Sequence, residues 1–128
     1  MKRLIALALF AFALSLPGAA PAQGPGSFAR YTGFYGGAIR LDANYVASDT
    51  CQAAISAHRG APSGQRIGPN IIPVTIVIGP NPRGCENTRV VRRIMTIGGP
   101  SNTELVQIFF VNPSGRILKD EKVSIATF

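Results

Sequence analysis

Five stretches of the chain alternate or cluster apolar residues as strands do, and one stretch spaces them as a helix does. Ala38-Ile39-Arg40-Leu41 alternates, with the double glycine Gly36-Gly37 before it marking a bend. Val74–Ile78 is a run of β-branched residues. Pro73 lacks an amide donor, so it is expected at the start of that strand or on a sheet edge. Thr88–Ile97 and Thr103–Val111 follow. In the latter, Val106, Ile108 and Phe110 share one face, while Leu105, Phe109 and Val111 make the other mostly apolar. That pattern predicts a central strand covered on both sides. Arg116–Thr127 closes the series; its Ile117, Val123 and Ile125 alternate loosely with Lys119 and Glu121, as on an edge facing water.

Residues 48–59 carry the helical pattern. Ser48 or Asp49 is placed to cap a first turn, Ala53, Ala54 and Ala57 are strong helix formers, and Gly60 stands where a left-handed C-cap is usual. Cys51, Ala54, Ile55 and His58 fall on one helical stripe. Turn signals separate the elements: Ala61–Asn70, Gly79–Gly84, Gly98–Asn102 and Asn112-Pro113-Ser114-Gly115. The reading is α+β: a small antiparallel sheet of about five strands with one packed helix, short connections favouring antiparallel pairs. An all-β sandwich with a short helix is the alternative.

The amino end alters what this pattern applies to. Lys2 and Arg3 precede an apolar run, Leu4–Leu16, which Pro17-Gly18 breaks before Ala20-Pro21-Ala22. This order matches a cleavable secretory signal peptide over residues 1–22, cut after Ala22 or, alternatively, Ala20. The run is too short for a membrane span, which needs roughly 20 apolar residues. Residues 23–128 then form a single mature domain, with 23–30 as a flexible lead and no membrane span after cleavage. The protein is expected to be exported, periplasmic or secreted, with a bacterial source suggested by the short positive n-region and the Ala20-Pro21-Ala22 site. In an oxidising compartment, two cysteines and no third make Cys51–Cys85 the expected disulfide. The bridge would clamp the expected helix to the rest of the domain.

Charge narrows the function classes. Removing Lys2 and Arg3 from the 13 basic side chains leaves 11 against 6 acidic, a net charge of +5. The excess lies between Arg30 and Arg93, where arginines 30, 40, 59, 66, 83, 89, 92 and 93 face only Asp42, Asp49 and Glu86. Guanidinium groups suit phosphate and carboxylate partners better than ammonium does. The expected function is therefore a non-enzymatic binding or envelope-associated module. Its binding residues are Arg83, Arg89, Arg92 and Arg93, and its partner is an anionic envelope component or another exported protein, not nucleic acid. A structural envelope component whose charge is incidental is a further alternative.

Candidate chemistry is sparse. His58 is the single histidine, so no histidine-based metal cluster forms, and no metal or other cofactor is expected. His58, Glu86 and Arg89 supply the acid/base and phosphate-clamp residue types that small secreted ribonucleases use, which gives an alternative reading as a small secreted phosphodiester hydrolase. Gly79–Gly84 is no phosphate loop, since its prolines remove the amides such a loop needs. Thr32–Gly37 and the terminal Phe128 resemble outer-membrane barrel strands, but eight strands of about 9–11 residues exceed what a domain of this length holds beside a helix.

Overall fold

The computed structural model describes residues 26–32, 37–99 and 102–126. The leader expected over 1–22, lead residues 23–25 and Gly36 of the expected glycine bend lie outside these. Seven strands follow in chain order: β1 (Phe28–Tyr31), β2 (Ala38–Val46), β3 (Gln52–Arg59), β4 (Ile71–Pro80), β5 (Val90–Gly98), β6 (Leu105–Val111) and β7 (Ile117–Ala126). They form one sheet in the order β3-β4-β6-β7-β1-β2-β5, curled into a nearly closed barrel with β3 and β5 at the seam. The architecture is all-β, and the α+β expectation is overturned. A sandwich with a short helix is excluded equally, because the described residues contain no helix.

The element read as a helix is β3, paired antiparallel to β4 from Gln52↔Pro80 to Arg59↔Val74. A bulge between Ala54 and Ser56 explains the misreading. One extra residue shifts the side-chain phase, so that Ala54 and Ala57, three positions apart, both pack against the core. Three-residue spacing of apolar positions is also what a helix shows. The presumed caps serve other ends. Asp49 Oδ1 accepts the Cys51 amide at 2.7 Å in a turn, and Gly60, at φ +132°, turns the chain out of the strand.

Inward positions fill the barrel. Ile39, Leu41 and Ala43 of β2 meet Ile72, Val74, Ile76 and Ile78 of β4, and Val106, Ile108 and Phe110 of β6, all almost fully buried. Tyr45 stacks on Phe110 with ring centroids 5.1 Å apart. Outward positions on β1, β2 and β5 are mostly polar or charged, with Phe28, Val46 and Ile94 as exposed apolar exceptions. That apolar-in, charged-out order is the reverse of a lipid-facing barrel wall. On β6 both faces are buried, as expected for a central strand.

Four further expectations are corrected. Pairing is not wholly antiparallel, for β1 joins β7 and β4 joins β6 in parallel. β7 is no edge: it lies between β6 and β1, where the curled sheet brings the two ends of the domain together. The lead expected over 23–30 overlaps β1, and Ser27 is anchored through its amide and hydroxyl to the Glu121 carboxylate at 3.1 and 3.0 Å. Pro73 lies within an interior strand, but level with the point where β3 runs out. There its own carbonyl accepts the Gly60 amide at 2.9 Å, and its missing donor costs no ladder bond to β3.

The disulfide is present between Cys51 and Cys85. It ties the start of β3, rather than a helix, to the β4–β5 connection. Two backbone bonds reinforce the junction: Asn81 N–H to Cys51 C=O and Glu86 N–H to Thr50 C=O, both 2.9 Å.

Candidate functional site

The hairpin register of β1 and β2 decides where the arginines go. Because Ile39 and Leu41 point inward, Arg40 and Asp42 point outward. The pairing sets Phe28 opposite Asp42 and Arg30 opposite Arg40. On the other side of β2, Asp42 lies opposite Ile94 and Asn44 opposite Arg92. The outer wall of β1, β2 and β5 therefore carries Arg30, Arg40 and Arg92 around one carboxylate, with exposed Phe28 and Ile94 in the row beside the arginine pair.

Asp42 is 1% exposed and fully engaged. Arg92 grips both its oxygens, Nε to Oδ1 at 2.9 Å and Nη2 to Oδ2, while Asn44 Nδ2 donates to Oδ1 at 3.1 Å. These donors hold the Asp42 carboxyl below its ordinary range. The Arg92 hydrogen bond is the largest influence, and it outweighs the burial that pulls the other way. The same pairing raises Arg92 further above neutrality. The wall's one carboxylate is hydrogen-bonded to Arg92 and attracts Arg40 only through space, and Arg30 and Arg40 face each other with no anion bonded to either among the described residues. Directly opposed cross-strand side chains have Cβ atoms about 5 Å apart, and like charges there repel.

The sequence-derived binding set is divided. Arg92 faces outward to Asp42, while Arg93, opposite Ala43, faces the barrel interior and reaches across the seam to Ala54 C=O at 3.4 Å. Arg83 sits in the turn, its amide donating to Asn81 Oδ1, and Arg89 is exposed just before β5, its carbonyl accepting the Ala47 amide at 2.8 Å. Arg92 and Arg93 line one small cleft at the seam and Arg83 an adjoining one, with Asn81 and Glu86 shared by both. Arg30 and Arg40 were not singled out by sequence. The alternation Ile39-Arg40-Leu41-Asp42 already puts Arg40 and Asp42 on one face, but Arg30 joins them only through the hairpin register.

The hydrolase residues do not converge. His58 lines a cleft of about 450 Å³ on the outer side of β4 with Pro62, Ser63, Thr75, Asn112 and Ser114; no carboxylate lines it. Glu86 borders the seam clefts near Gln52, at the far end of β3. Six residues of strand, roughly 20 Å, separate the two ends. The Thr75 hydroxyl in the His58 cleft is already donated to Gly60 C=O at 2.8 Å. Among the described residues no group of three or more His, Cys, Asp or Glu is positioned for a metal ion, and no helix is long and apolar enough to cross a membrane. No protein-family model, curated protein or solved structure matches the chain. The class that fold and site define is a small, disulfide-tied, seven-stranded barrel with a cationic outer wall.

Proposed function

We propose that the protein is an exported, non-enzymatic binding module that engages a phosphate-bearing anionic component of the cell envelope through the outer wall of β1, β2 and β5. The carrying observation is the Arg30–Arg40 pair: two arginines directly opposed across the β1–β2 ladder beside a carboxylate that Arg92 already occupies. A fold retains such opposition at a cost, and an anion bridging the two forks removes it. Phe28, 54% exposed, and Ile94, 43% exposed, flank the pair and suit a partner with apolar as well as charged surface, as a phospholipid headgroup region has. The Cys51–Cys85 bridge supports an oxidising, exported location.

Co-sedimentation of the mature domain with phosphatidylglycerol vesicles, against phosphatidylcholine vesicles, tests the reading. Binding is expected to the anionic vesicles alone, to fall with added salt, and to weaken at least tenfold in the Arg30→Ser/Arg40→Ser variant. Equal binding to both vesicle types, or an unchanged affinity in the variant, would overturn it.

A further inference from the structure

The seam between β3 and β5 closes the barrel without a backbone ladder. The two strands end the sheet order and lie side by side, yet no main-chain hydrogen bond joins them among the described residues. Two side chains cross instead. Arg59 of β3 donates from Nη1 to Gly98 C=O of β5 at 2.6 Å, and Arg93 of β5 donates from Nη1 to Ala54 C=O of β3 at 3.4 Å. These contacts fix the relative direction. Ala54 lies level with Arg93 and Arg59 with Gly98, so both strands run the same way along a gap of about six residues.

We propose that this seam accepts an extended acidic peptide of another exported protein as an eighth strand, a binding mode separate from the cationic wall. Facing strand edges offer amides and carbonyls at the spacing that only another strand satisfies along its whole length. An inserted strand lies antiparallel to both β3 and β5, the more stable of the two pairings. Its amides take over Ala54 C=O and Gly98 C=O, and the displaced Arg93 and Arg59 are left as unpaired cations at opposite ends of the insertion. That defines the occupant's chemistry: carboxylates about six residues apart, and so on one face of an otherwise β-favouring segment, matched to the two guanidiniums. Glu86 brings a negative charge to the cleft that Ala54 and Arg93 line, with Asn81 Nδ2 donating to it at 3.3 Å, but Arg59 and Arg93, with Arg83 in the adjoining cleft, outnumber it and leave the seam cationic.

The fold also says how room is made. Insertion needs the edges about 9–10 Å apart, twice the ordinary strand spacing. One end of the seam is pinned by Cys51–Cys85 and by the Asn81–Cys51 and Glu86–Thr50 backbone bonds. The other is held by the Arg59–Gly98 contact, so the seam opens from that end with the disulfide as its hinge.

The test uses the mature, oxidised domain and an acetylated heptapeptide with Glu at both ends and alternating Val and Thr between, beside the same peptide with Lys for Glu. Amide hydrogen exchange is followed by NMR. In the free protein the seam-facing amides of β3 and β5 are expected to exchange much faster than those of β4 and β6. The Glu peptide is expected to slow them at least tenfold, the Lys peptide to leave them unchanged, and Arg59→Ala/Arg93→Ala to weaken Glu-peptide binding at least tenfold. Unchanged exchange of β4 and β6 amides in the variant verifies that it is folded. Seam amides already as protected as the ladder amides, equal action of the two peptides, no protection at millimolar Glu peptide, or dimerisation of the domain through the same edges would each overturn the proposal.

Discussion

Arg30 and Arg40 stand directly opposite each other on the outer face of the β1–β2 hairpin, two like charges where cross-strand partners usually complement one another. Removing one therefore has an opposite effect on stability and on binding. Arg30→Thr is expected to raise the urea midpoint, with a gain of a few tenths of a kcal/mol, while weakening association with anionic vesicles. An Arg30→Thr protein that is less stable, with binding intact, would contradict the role given to the pair.

Asp42 is the counterpart to that repulsion. Asp42→Asn keeps the shape but removes the charge that Arg92 and Asn44 are aimed at, and it leaves the wall with three cations and no anion. Because the Arg92 side chain is 57% exposed and partly solvated, the expected loss is moderate, about 1–2 kcal/mol by chemical denaturation.

The pH dependence has a definite sign. The Asp42 carboxyl is held below its unfolded value of about 3.9, so its contribution is fully present above that pH and is lost as pH falls through the lower, folded value. Stability of the wild type is thus expected to decline below about pH 4 more steeply than that of Asp42→Asn. Parallel acid limbs would contradict the pairing. The raised Arg92 pKa acts only at extreme alkaline pH, where its contribution is lost as pH rises.

The disulfide closes an interval of 34 residues. In the loop-closure model this removes about 3–4 kcal/mol of unfolded-state entropy. Reduction, or Cys51→Ala/Cys85→Ala, is expected to lower the unfolding free energy by that order, measured in urea with and without reductant. Because the bridge pins the β3 start to the β4–β5 connection, exchange protection is expected to fall first in β3.

Gly99 marks a tight passage after β5. A Cβ there would lie 2.6 Å from Ile72 Cδ1 and 3.2 Å from Ile39 Cδ1, both on almost fully buried side chains. Gly99→Ala is expected to cost about 1–3 kcal/mol through overpacking. Ile72→Val removes the nearer methyl, so the double variant is expected to lose less than the two single losses together, as a double-mutant cycle reads directly.

The strongly patterned strands were legible from sequence: the apolar runs of β4 and β6 and the Asn112–Gly115 turn, where Asn112 Oδ1 accepts the Ser114 and Arg116 amides. What local pattern cannot carry was missed. The Ile55 bulge disguised β3, because one inserted residue turns a period of two into an apparent helical spacing. β1 is four residues, three of them within the expected lead, and its parallel pairing to β7 joins segments about 96 residues apart, with no short-range signal. The site was legible only as composition. The excess of arginine was visible, but the division of Arg92 from Arg93 and the meeting of Arg30 with Arg40 are consequences of strand phase and register.

The central claim, a discrete anion site on the cationic wall, is tested most directly by the arginine side-chain Nε–Hε resonances during titration with a short-chain phosphatidylglycerol below its micelle concentration. The expected result is saturable shifts at Arg30 and Arg40, small changes at Arg92, which Asp42 holds, and none at Arg66 or Arg116. Shifts of similar size at all the exposed arginines, or none at Arg30 and Arg40, would contradict it.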